Sequence, residues 1–359
     1  MKTPMIAFTV VSVMIAFGST RGEEAAAEGA SAQENSVRDW TVADFEQRGH
    51  VSRGLAGEQH EQLRFWDWQD NTLLDLRESQ FLALEGGPFH NDSLPRQYPS
   101  GAELDALTEL ASGEKYPVSI KGRGSRNIAV LGGRIVGQQP RQLPWRIMKK
   151  FYDGDGVRVE ASGDLIVDGT YIENTEDGFS PRGDGRWILR SSHMRYIRDD
   201  FVENDGLLSG EIIDCLADGV YVFLSARPGK NADPQQLDKR QPPVVKIRDT
   251  LVHLQPMPYD GDMKLGKRRF IKEGKTCGML FKWSRWAGTV DVTDCIFRVD
   301  GMAASGPKPM RFPEGVYRNV TLVWLGGGDY PADLPNGVTM SRDVEVWNRA
   351  RTTWLSRHQ

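Results

Sequence analysis

The chain has 359 residues, and 45 Lys and Arg stand against 49 Asp and Glu for a formal net charge of −4. That balance excludes a strongly basic nucleic-acid binder, while 39% hydrophobic and 26% charged residues match a soluble globular protein. The 38 glycines suit a chain that turns every few residues better than a helical one.

Residues 1–20 have the form of a secretory signal: Lys2, an apolar run from Met5 to Phe17, then Gly18, Ser19 and Thr20. Spanning a bilayer takes ~20 apolar residues, so this shorter run predicts export with cleavage, to the periplasm or the medium, and no stable membrane span. Residues 21–36, rich in Ala and Glu from Glu23 to Ala32, read as a disordered linker. Cys215, Cys277 and Cys295 make an odd count, which implies no disulfide framework. Two of them sit in Asp-Cys-aliphatic steps and read as small buried hydrophobes, with a single bridge left open.

Residues 37–116 form an irregular N-terminal extension. Leu104, Leu107, Leu110 and Ala111 fall at helical spacing. Such a helix would cap the open end of a sheet that otherwise exposes its edge. His50, His60 and His90 are too scattered for a metal site, and none is expected.

The strand region is expected over 117–359. Val118 to Ile120 and Asn127 to Gly137 alternate around a Gly-Gly step, as strand, bend and strand do. A turn that carries Asp then recurs before an apolar strand: Asp155-Gly156-Val157, Asp177-Gly178-Phe179, Asp199-Asp200-Phe201 and Asp218-Gly219-Val220, at intervals of 22, 22 and 19 residues. Such intervals predict the coils of an all-β parallel solenoid, in which two or three strands of ~5 residues complete a circuit. Equivalent turns would then stack at strand spacings of ~4.8 Å. A second pattern places an apolar residue two before and two after an Asp, at Asp199, Asp214, Asp249 and Asp294, and Asn319 between Tyr317 and Thr321 resembles it. It fits an inward-facing strand that ends in a hydrogen-bonded corner. Val344, Trp347, Ala350 and Trp354 lie about one turn apart, which a closing amphipathic helix or a last coil would each explain, the helix being the favoured reading.

On these residues the chain resembles the pectin-lyase-like superfamily of right-handed parallel β-helices, and is distantly similar to polygalacturonase-type glycoside hydrolases. Asn174-Thr175-Glu176-Asp177-Gly178 stands for that family's N-T-D-G with one residue inserted, and Arg198-Asp199-Asp200 for its G-D-D without the Gly. Ala217-Asp218-Gly219 replaces the expected G-H-G and lacks the His, and Val245 to Arg248 replaces R-I-K with its basic residues reversed. The resemblance implies a polysaccharide substrate. It makes Asp200 the acid, Asp177 and Asp199 the activators of water, and Lys246 or Arg248 the anchor of an acidic sugar. Inverting hydrolysis needs a protonated acid and a base ~6.5–9.5 Å apart, and crowded carboxylates raise one another's pKa.

Three alternatives stay open. An Asp ladder also bonds turn backbone with no chemistry, which leaves a non-catalytic glycan- or partner-binding solenoid. The acids also align with a second register that sets Asp205 against Asp177. The acidic cluster also suits Ca²⁺, and a polysaccharide lyase with Arg or Lys as base would follow; no other cofactor is expected. Trp283 and Trp286, beside Lys282 and Arg285, suit stacking on sugar faces.

Overall fold

Short, β-branched-rich segments that alternate apolar and polar residues build two long sheets in a computed structural model. It describes residues 50–53, 56–66, 69–83, 118–121, 126–137, 141, 154–229, 232–258, 275–301, 303 and 310–358. They belong to one compact unit, Thr41–Gln359. Among the described residues the first sheet has nine strands in chain order, from His50–Arg53 to Gly315–Arg318, each paired parallel to the next, and the second has fifteen strands and two branches. One branch runs from Gly57–Gln59 to Val338–Ser341, the other from Leu63–Trp66 to Phe281–Trp283. They share the two longest strands, His193–Glu203 and Leu216–Ala226, whose register shifts between Ile197 and Asp200 and between Asp218 and Val220.

Register stacks like on like, which is why the apolar alternation recurs from strand to strand. Leu74, Val130, Val167, Leu189, Ile212, Ile247 and Val292 form a continuous buried row in the first sheet. Val157, Phe179, Val202, Leu224 and Phe281 form another in the second branch. Both rows belong to one core cluster. Each fully buried Val, Leu, Ile or Phe is worth about 1.5–3 kcal/mol relative to exposure, so a row gains stability roughly in proportion to its length.

The Asp/Asn corners lie between the first sheet and the second. Asp214, Asp249, Asp294 and Asn319 take φ of 49°, 51°, 55° and 51°, a left-handed conformation that these residues tolerate better than others. Asn319 Nδ2 donates to Asp294 Oδ1 at 2.6 Å, tying one corner to the next. Asp199 is not a corner: it lies inside the His193–Glu203 strand with its carboxyl buried. All three cysteines are free and buried, so the open single bridge does not form.

Among the described residues strands are present from His50, ahead of the expected start at Pro117. Leu73, Leu74 and Phe81 already stand in register with Ala129, Val130 and Ile135. The long insertions between these early strands hide the repeat in the sequence. The signal segment, the linker and the helix expected near 101–112 lie outside the described residues. No helix among the described residues is long and apolar enough to cross a membrane.

The expected closing helix is present, Val344–Arg357, with Asp343 accepting from the Glu345 amide at 2.9 Å as N-cap. Its buried Trp347 and Trp354 cover Leu216, Leu251 and Val323 on the second sheet.

Candidate functional site

Where the second sheet's two branches meet, three consecutive strands bring acids together. Val157–Ala161 pairs with Phe179–Gly183, which pairs Phe179 with Val202 of His193–Glu203. These offsets set Asp155, Asp177 and Asp200 one behind another, the first two just before their strands and Asp200 inside His193–Glu203. The Gly156 and Gly178 amides donate to the Asp177 and Asp200 carbonyls, both at 2.9 Å. The glycines after Asp155 and Asp177 are required by closeness: a Cβ on Gly178 would stand 2.3 Å from Met194 Sδ and 2.7 Å from the Phe201 carbonyl oxygen.

The register decides between the two sequence alignments. The Asp200 amide donates to Asp177 Oδ1 at 2.8 Å, so Asp200 and not Asp205 faces Asp177. Asp205 instead stands 3.7 Å from Arg182, which also bonds Glu203. One carboxylate oxygen from each of Asp177, Asp199 and Asp200 lies within 4.8 Å of the others, and a second such group joins Asp155, Asp177 and Glu203. Asp177 belongs to both. The evenly spaced Asp155, first read as a turn, is thus a member of the cluster.

Asp218 leaves the ladder. It pairs with Arg195, and Val222, four residues further on, takes the place beside Asp200. Its carboxylate accepts from Arg351 of the closing helix at 2.6 Å and stands 3.7 Å from His193. Burial would raise its pKa, but the nearby His193 ring and the Arg351 guanidinium that donates to it outweigh burial and hold it well below the usual carboxylate range.

A lysine enters from 82 residues downstream. Lys282 Nζ donates to Asp200 Oδ2 at 2.8 Å and lies 3.7 Å from Asp199 Oδ1. Its position follows from register: Glu203 pairs with Ser225, and Ser225 with Lys282, on the outward side of the strands. The side chains of Asp199 and Asp200 are 5% and 0% exposed, whereas Lys282 is 21% exposed and opens the cluster to solvent. Arg198, wholly buried beneath, donates to the Pro258 carbonyl at 2.7 Å and lies over the Tyr221 ring.

Charge is unbalanced here. Burial, then the Glu203, Asp155, Asp199 and Asp200 carboxylates, hold Asp177 well above the usual range. Burial and Asp199 push Asp200 up to about 7 against the opposing pull of Lys282. Burial alone would lower the Lys282 ammonium, but Asp199 and Asp200 outweigh it and keep the proton on more tightly than in free lysine. Asp200 Oδ1 is buried and has no hydrogen-bond partner among the described residues.

The other expected binding residues do not converge on this cluster. Lys246 and Arg248 lie on the Val244–Arg248 strand of the first sheet, where Arg248 pairs with Glu211 at 2.7 Å and Lys246 approaches it at 3.9 Å. Trp283 packs against Phe281 and donates to the Gly288 carbonyl at 3.2 Å, so its ring serves the core. Trp286 is half-buried, donates to Asp238 at 2.7 Å and carries Arg285 over its face. Sequence reasoning noted Lys282 only as a neighbour of these rings, since nothing local marks a lysine whose partners lie 82 residues away.

No family model, curated protein or solved structure matches this chain.

Proposed function

We propose that this protein is an exported right-handed parallel β-helix that cleaves an acidic polysaccharide by β-elimination, with Lys282 as the base beside the Asp177–Asp199–Asp200 cluster. The observation that carries the reading is the placement of Lys282: its amine touches Asp199 and Asp200, and it is the member of that group that reaches solvent. The steady shift of 22 or 23 residues between neighbouring strands around the cluster supports the coiled architecture.

The donor set fits a divalent cation such as Ca²⁺. It consists of carboxylate oxygens within 4.8 Å of one another, the separation expected of atoms that share one ion at 2.3–2.6 Å, and the unpartnered Asp200 Oδ1 supplies a free lone pair. Bound there, such an ion would neutralise the carboxylates and the uronate of the substrate. Lys282 then no longer faces two uncompensated anions, and its neutral amine takes the proton α to the uronate carboxylate. That electron pair forms the ring double bond as the glycosidic C–O bond breaks, and the departing oxygen takes a proton from water.

A second reading keeps hydrolysis, because Asp200 at about 7 is poised as a general acid. Against it, the cluster's oxygens lie closer than the ~6.5–9.5 Å that an inverting pair leaves for its water.

The test is incubation with a panel of neutral and acidic polysaccharides, with and without chelator, using wild type, Lys282→Met and Asp200→Asn. Elimination gives ultraviolet-absorbing unsaturated products that chelator and Lys282→Met both abolish. Reducing ends without that absorbance, lost only in Asp200→Asn, would favour hydrolysis. Binding with no turnover on any polymer would leave a non-catalytic glycan binder.

A further inference from the structure

His358 closes the C-terminal helix with both ring nitrogens turned to acceptors. Nδ1 lies 2.9 Å from the Trp354 carbonyl oxygen, and Nε2 lies 3.1 Å from Asp214 Oδ2. A carbonyl oxygen and a carboxylate both accept only, so a neutral imidazole, which has one N–H, satisfies one of them and turns a lone pair on the other. The doubly protonated ring satisfies both.

Three further features favour that charge. The ring stacks on Trp354 with centroids 3.9 Å apart and planes 9° apart, the geometry in which a cation meets a π face. His358 is the C-cap of Val344–Arg357, where the helix macrodipole favours positive charge. Asp214 is fixed in a left-handed corner, so it cannot readily withdraw. The charged groups facing His358 among the described residues are Asp214 and, from the helix itself, Arg357, 3.1 Å from Asp214 Oδ1. On the far side of Trp354 stands His193 at 5.7 Å, with Asp218 and Arg351 behind it.

We infer that the C-terminal helix is a latch strengthened by acid, with the imidazolium of His358 as its trigger. Protonation ties the helix end to the Asp214 corner and holds Trp354 over the apolar surface of Leu216 and Leu251. Loss of the proton breaks one of the two contacts and frees the last turn first. Sealing of that surface thereby becomes dependent on the compartment's pH.

Two measurements on the full chain test this. Imidazole ¹⁵N shifts report whether His358 carries two protons, and hydrogen exchange of the 344–358 segment reports whether the helix opens. Protection about tenfold higher at about pH 5.5 than at about pH 8 after correction for intrinsic exchange is expected, following the change in the His358 ring shifts. In His358→Gln and Asp214→Asn that ratio falls close to one. Wild-type protection that ignores pH, or that changes over a pH range in which the His358 ring shifts do not, overturns the latch. A ratio that survives in His358→Gln assigns the effect to His193 or His253 and overturns the role of His358.

Discussion

The amide of Asp200 donates to the carboxylate of Asp177 at 2.8 Å, so two acids whose charges repel are held together by the backbone of one of them. Asn at position 177 keeps an acceptor for that amide and removes a charge; Ala leaves the amide buried and unsatisfied. Asp177→Asn is therefore expected to equal or exceed wild-type stability in the absence of divalent cations, and Asp177→Ala to lose about 1–3 kcal/mol. Urea denaturation in chelator orders the three proteins.

Cation binding by the native state alone would raise the melting temperature with concentration. At one hundred times the dissociation constant the gain is about 2.7 kcal/mol. Calorimetry with increasing Ca²⁺ should show that rise in wild type and its loss in Asp199→Asn and Asp177→Asn, while Arg248→Ala, on the other sheet, responds as wild type does.

The pH profile of the cation-free protein has a defined sign. Asp200 has its folded pKa raised to about 7, above the ~3.9 of an unfolded Asp. Its contribution is fully present below about pH 4 and is lost as pH rises through about 7. Stability in chelator should therefore decline by a few kcal/mol (about 2–4) between pH 5 and pH 8. Lys282→Met should deepen the decline, since it removes the cation that opposes the shift. Denaturant midpoints at the two pH values measure both effects.

Arg351 and Asp218 join the closing helix to the second sheet. Arg351→Ala leaves Asp218 with its weaker neighbour His193, and the cost should be about 1–2 kcal/mol, below that of a fully buried pair because Arg351 reaches solvent. Asp218 has a depressed folded pKa, so its contribution is present above the unfolded value and is lost as pH falls below about 4. Tryptophan fluorescence during acid titration should report Trp347 and Trp354 release at a higher pH in Arg351→Ala than in wild type.

The sequence made the strand stacks legible because parallel in-register pairing repeats the same alternation every 22 or 23 residues where insertions are absent. It made the corners legible too, since Asp214, Asp249, Asp294 and Asn319 are residues that accept positive φ. Asp177 and Asp200 stand side by side because neighbouring strands pair at offsets of 22 or 23 residues, the interval already visible between the acids in the sequence. Asp218 does not belong to the ladder because only 19 residues separate it from Asp199, short of the 22 or 23 that separate paired positions on these strands, so it falls opposite Arg195. Lys282 stayed hidden because its role depends on Glu203, Ser225 and Lys282 meeting across three strands that are separated by insertions. The early strands from His50 were missed for a similar reason: 56 residues separate Thr72 from Ile128, its partner in register.

The two eleven-residue strands that bend through the bulges, His193–Glu203 and Leu216–Ala226, lie in the interior of the array, with other strands stacked before and after them. A structure held by nearest neighbours frays from its ends inward. Heat or a protease must peel away the outer strands before it reaches Asp200, so trimming at either terminus should shorten the array long before it disarms the acids.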